Sequence, residues 1–112
     1  MSKQLDPPTF AGEQALASAE IARIEGRDLE AMRLYDEAIR AARENGFVQD
    51  EGIAHEVATR FYVVRGFDLI AEAYLRKARY CFLRCGATGK LRQLDELIST
   101  AQRYRTSVEV YV

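Results

Sequence analysis

The sequence predicts an all-α protein, two antiparallel helical hairpins followed by a closing C-terminal helix, on three observations. Six of the seven glycines form pairs 40 residues apart, Gly12/Gly52, Gly26/Gly66 and Gly46/Gly86, and Asp28/Asp68, Leu29/Leu69, Ala31/Ala71 and Ala38/Ala78 share the offset. A fixed period of this kind is the signature of a repeat architecture. Within each unit the apolar residues recur at helical spacing, and turn-forming residues cut the unit into two helices.

The first helix is expected from about Phe10 to Glu25, starting after Pro8 and Thr9, with Ala15, Ala19, Ile21 and Ala22 toward the core. Gly26-Arg27 closes it. Asp28 is then expected to cap the second helix by accepting backbone N–H bonds, with Glu30 complementing the positive helix start. Ala31, Tyr35, Ala38 and Ala42 make its apolar stripe, and Asn45-Gly46 stops it, since both residues tolerate the left-handed conformation that ends helices. The second unit repeats the plan. A third helix from about Asp50 carries Ile53, Val57, Phe61 and Val64; Gly66 turns the chain and Asp68 is expected as the next cap. A fourth helix carries Ala71, Leu75, Ala78 and Phe82, and Cys85-Gly86 ends it. The fifth, from about Thr88 to Tyr104, presents Leu91, Leu94, Leu97, Ile98 and Ala101 where the first helix of a third unit would lie.

A hairpin alone cannot bury both of its apolar faces, so stacking of neighbouring units is expected. A four- or five-helix bundle that keeps the echo of a duplication uses the same helix-on-helix packing and is the alternative. Residues 1–112 read as one domain, with 48% apolar and 29% charged residues. The stretch 105–112, with Val108, Val110 and Val112 alternating, reads as an extended segment or a disordered tail.

Composition also excludes functions. The longest apolar runs, such as Phe61-Tyr62-Val63-Val64, fall far short of the ~20 residues a membrane span needs, so no membrane role is expected. The start of the chain has no apolar core of secretory length and only two cysteines follow, which points to the cytoplasm. Residues 1–56 hold six Lys/Arg and twelve Asp/Glu, a charge of −6; residues 57–112 hold ten and five, a charge of +5. The arginines are dispersed along an amphipathic pattern beside an acidic half that would repel phosphates, so nucleic acid is not an expected partner.

The spacing Gly26…Ala31…Tyr35…Ala38, echoed by Gly66…Ala71…Leu75…Ala78, resembles a tetratricopeptide-type repeat with a period longer than the standard of about 34 residues. More closely, residues 20–35 and 71–82, within a stretch from Asp6 to about Glu96, are similar to the tetratricopeptide-like region of very large bacterial sensor proteins. In those proteins a kinase-like domain and an ATPase module precede the helical region, and GAF and histidine-kinase domains follow. The resemblance implies a segment of a signal-transduction protein that connects and docks. It also implies a concave, partner-binding face made by the first helix of each hairpin: Glu13, Leu16, Glu20, Arg23 and Ile24 from one unit, and Ile53, Glu56, Arg60, Val63 and Val64 from the other. Glu20, Arg23, Glu56 and Arg60 are expected to be solvent-accessible there. The chain lacks the Lys/Asn/Arg set by which some relatives hold a peptide carboxylate, and His55 and Cys85 stand where Asn and Trp are expected in such relatives.

Residues that could carry chemistry have ordinary explanations. His55 is the only histidine, which removes multi-histidine metal sites. One exposed histidine on a helical bundle is also the mark of a phosphotransfer domain, so a phosphotransfer-type accessory using His55 is the alternative function, although Ala58 and Thr59 stand where such domains place Lys and Gly. Cys81 and Cys85 are four apart on one helix face, but zinc wants four ligands, so buried small hydrophobes are the expected reading and no metal or cofactor is predicted. Acid pairs such as Asp36-Glu37 and Asp95-Glu96 lie at ion-pair spacing from Arg33, Arg40 and Arg92. Every paired glycine is used by a helix, leaving no phosphate-cradling loop. The expected function is therefore a non-enzymatic interaction and linker module. Its partner is a protein or the neighbouring domains of a larger signalling protein, and the isolated chain is expected to form a homodimer, since an excised array exposes apolar ends.

Overall fold

A computed structural model describes residues 9–97 and 99. Four helices, α1 (Thr9–Ile24), α2 (Asp28–Glu44), α3 (Val48–Val64) and α4 (Asp68–Arg84), are followed by α5 (88–97), and no strand occurs among the described residues. No described helix is long and apolar enough to cross a membrane. The expected end of the fifth helix, with Ile98 and Ala101, and the tail 105–112 lie outside the described residues.

Helices α2 to α5 begin at 28, 48, 68 and 88, so the geometric module is 20 residues, half the period of the sequence identities. Each junction is built alike. Gly26, Gly46, Gly66 and Gly86 have φ between +72° and +82°, the left-handed region open to a residue without Cβ. Each glycine amide returns to a carbonyl three residues back, and the next amide to one five back, as in Arg27 N–H to Ala22 (2.8 Å) and Phe67 N–H to Tyr62 (3.0 Å). These are Schellman closures. The residue after the glycine also starts the next helix, because the carbonyls of Arg27, Phe47, Phe67 and Ala87 accept from the amides four residues on.

This double use corrects the expected caps. The cap positions of α2 and α4 belong to Arg27 and Phe67, without a side-chain capping bond, because that residue must first close the preceding helix. Asp28 and Asp68 are the first helical residues, where a carboxylate complements the helix dipole. Asp28 also reaches across the array: Nε and Nη2 of Arg65 each donate to its carboxylate at 3.1 Å, tying the first turn of α2 to the end of α3.

Packing follows the hairpin plan. α1 pairs with α2 and α3 with α4, α2 bridges to α3, and α1 and α3 touch side by side. The principal core joins Ala19, Ala22, Ala31, Tyr35, Ala58, Phe61, Tyr62 and Ala71, with Tyr35 edge-on to Phe61 at 5.3 Å. Ala31 and Ala71 are repeat-equivalent, and both are buried in this core. Ile21, expected in the core, is exposed, because Ala19 and Ala22 supply the buried edge of α1. Helix α5 adds Leu94 to Ala78 and Phe82 and stands beside α3 through a Lys90–Glu56 ion pair of 3.0 Å. That is the position of the first helix of a third unit.

Candidate functional site

Between α1 and α3, floored by α2, runs a groove of about 200 Å³. Leu16, Phe47 and Ile53 give it apolar walls, Ala38, Ala41 and Ala42 a shallow floor, and Glu13 and Asp50 carboxylates. Its depth has a sequence cause. The residues 40 positions after Ala42 and Ala54 are Phe82 and Leu94, both fully buried where α3, α4 and α5 pack, so the volume filled there by a ring and a leucine is open between α1, α2 and α3.

Of the residues expected on the partner-binding face, Glu13, Leu16 and Ile53 line this groove. Glu20 and Arg23 pair with each other at 2.9 Å, and Glu20 also accepts from the Tyr35 hydroxyl, so both are held in place. Ile24 and Val64 are exposed at the turn end of their helices, 72% and 79%, while Val63 is half-buried against the principal core. Arg60 is exposed. Glu56 is not: it is 2% exposed, its carboxylate clamped by Nη2 of Arg60 (2.9 Å) and Nζ of Lys90 (3.0 Å). The expectation of an accessible Glu56 fails because α5 covers this part of α3.

His55 is also buried, with Nδ1 3.0 Å from the Glu51 carbonyl and its ring 5.6 Å from that of Tyr74. Burial holds its pKa below the usual imidazole value, against the opposing pull of the Glu51 carbonyl and carboxylate. A ring nitrogen of His55, a carboxylate oxygen of Glu51 and the Sγ of Cys81 lie within 4.8 Å of one another. Burial, helped by Glu51, pushes the Cys81 thiol up. Nε of Arg43 donates to Oε2 of Glu51 at 3.0 Å. Sequence reasoning missed this convergence because it sought ligands among His and Cys alone. The available signal was the i,i+4 pair Glu51/His55 on the helix that precedes Cys81 in the hairpin.

No protein-family model matches the chain, and comparisons with curated proteins and with solved structures likewise find no match.

Proposed function

We propose that the chain is a non-enzymatic interaction and linker module whose groove between α1 and α3 holds a short peptide segment of a protein partner. The groove left open between α1, α2 and α3, and filled by Phe82 and Leu94 between α3, α4 and α5, carries this reading. Its apolar floor suits aliphatic or aromatic side chains, and Glu13 and Asp50 favour a segment with Lys or Arg beside them. The resemblance to the repeat region of bacterial sensor proteins supports a connecting role in signal transduction, in a reducing cytoplasm where Cys81 and Cys85 form no disulfide. Phosphotransfer through His55 is disfavoured, since an imidazole 2% exposed is closed to a phosphodonor.

The test uses the protein's own repeat. Ala42→Phe with Ala54→Leu gives the groove the side chains that stand 40 residues on, where α3, α4 and α5 pack around them. Displayed random peptides selected on the native chain are expected to be apolar with a basic flank and to lose binding to the filled variant. Peptides that bind both proteins equally would refute the groove as the binding site.

Exposed Ile24, Leu29, Val64 and Leu69, related in pairs by the 40-residue offset, support self-association as well. Sedimentation of the full chain and of a chain ending at Arg105 is expected to give a dimer in both. A monomer at every concentration would remove this part of the proposal.

A further inference from the structure

We propose that Glu51, His55 and Cys81 form a zinc site that staples α3 to α4, with the fourth ligand position open to water. The reading is independent of the groove, none of whose lining residues is a proposed ligand.

Backbone geometry creates the site. Gly52 lets α3 approach α4 so closely that a Cβ there would lie 3.0 Å from the Cβ of Cys81. Its neighbours in the chain and along the helix, Glu51 and His55, are thereby brought to the buried thiol. Three donors of different chemistry converge within 4.8 Å, two of them on buried residues, and the carboxylate side chain is only 12% exposed. A tetrahedral zinc with bonds of about 2.3 Å to sulfur and about 2.0–2.2 Å to nitrogen and oxygen spaces its donors at roughly 3.4–3.6 Å. Modest side-chain closure covers the difference.

Two of the donors are also oriented. With Nδ1 engaged by the Glu51 carbonyl, the lone pair of the neutral imidazole is left on Nε2, a common arrangement for a histidine ligand. Arg43 holds Oε2 of Glu51, leaving Oε1 to bind the ion. A thiolate with an imidazole selects zinc over magnesium or calcium, which prefer all-oxygen sites. On binding, the Cys81 S–H bond breaks, the proton leaves to solvent, and the sulfur lone pair forms the bond to zinc. Thiolate and carboxylate then balance the dication.

The experiment titrates the full chain, freed of metal by chelator, with zinc by calorimetry and with cobalt(II) by absorption. Expected are one ion per chain, the visible bands of tetrahedral cobalt, and a sulfur-to-metal charge-transfer band. Changing an outer-shell residue costs about 10–100-fold in affinity, so Cys81→Ala and His55→Gln are expected to cost at least about 100-fold. Glu51→Gln is expected to weaken binding by at least about 10-fold. Cys85→Ser removes the exposed thiol, which is not a proposed ligand, and is expected to leave the affinity unchanged. Circular dichroism of each metal-free variant checks its helix content; Cys81→Ala, which replaces one small side chain by another, keeps the test valid if His55→Gln unfolds. Absence of stoichiometric binding by the native chain overturns the proposal. So does binding lost in Cys85→Ser but kept in Cys81→Ala, which would mark uptake by an exposed thiol.

Discussion

Alanine at Gly12 and at Gly52 is the same substitution at repeat-equivalent helical positions, yet the structure requires opposite outcomes. Replacing a helical glycine whose conformation suits alanine stabilises by about 0.4–1 kcal/mol, mainly through the unfolded chain. At Gly12 nothing opposes this gain, since a Cβ would meet Ala41 Cβ at 3.6 Å and the Ala38 carbonyl oxygen at 3.7 Å, ordinary contact distances. At Gly52 the Cβ would stand 2.7 Å from Cε1 and 3.0 Å from Cδ1 of Phe82. That ring is fully buried among Ala78 and Leu94 and has no free direction in which to yield. Overpacking of this kind costs about 1–3 kcal/mol. The propensity gain is common to both variants, so the difference between their unfolding free energies isolates the overpacking, about 1–3 kcal/mol. For a domain of this size it corresponds to at least about 4 °C in thermal midpoint.

Urea unfolding of both variants measures the difference. Two further backgrounds make the test decisive. Phe82→Leu is expected to relieve Gly52→Ala, and Ala42→Phe to turn the effect of Gly12→Ala from stabilising to destabilising, because it brings a ring to the equivalent place. Equal midpoints for the two alanine variants, or no change of sign in the Ala42→Phe background, would refute the close-approach account and with it the geometry that brings Glu51 and His55 to Cys81.

Other outcomes follow from the same packing. Ala31→Leu and Ala71→Leu are each expected to lower stability by about 1–3 kcal/mol, read from denaturant midpoints, because both alanines are buried in the principal core. Lys90→Met leaves buried Glu56 with Arg60 alone and is expected to cost about 1–2 kcal/mol, a loss that Glu56→Gln in the same background should partly restore. The Arg65 hydrogen bonds hold the Asp28 carboxyl below its ordinary range, so the stability it adds is complete above the unfolded value near 4 and disappears as pH falls through the folded value. Urea midpoints of Asp28→Asn and native protein should therefore differ at neutral pH and converge in acid.

How far the fold could be read from residues alone differs by feature. Helices and their ends were legible because glycine, asparagine and cysteine interrupt a clear helical period at Gly26, Asn45-Gly46, Gly66 and Cys85-Gly86. The 20-residue module was present in the same glycines, 26, 46, 66 and 86, but successive helices face opposite ways, so side-chain identities such as Ala31/Ala71 recur only at 40. Caps were misread because an aspartate just after a turn suits both the cap and the first helical position. Which one it takes depends on whether the preceding residue is committed to closing the previous helix. Ile21 and Glu56 show a different limit. Helical spacing orders residues around one axis, and whether a given arc is covered depends on which other helix lies against it, as α5 lies against Glu56.

The candidate sites share one cause that a repeat comparison alone could not weigh. A shift of 40 residues carries Gly12, Ala42 and Ala54, which surround the groove of α1, α2 and α3, onto Gly52, Phe82 and Leu94 in the packing of α3, α4 and α5. Both places keep a glycine at the helix approach, but only the packing of α3, α4 and α5 fills the adjoining volume with large side chains. Filling it packs α3, α4 and α5 together, and on the same pair of helices His55 and Cys81 are buried beside Glu51, the condition for a metal site with oriented ligands. Leaving it unfilled forfeits packing in the first unit, since a missing methylene costs about 0.8 kcal/mol of burial, and opens an apolar groove beside two carboxylates. One half of the chain thus has the packing of a rigid staple and the other the vacancy of a docking site. The Ala42→Phe, Ala54→Leu chain should therefore be more stable than native while binding nothing in its groove.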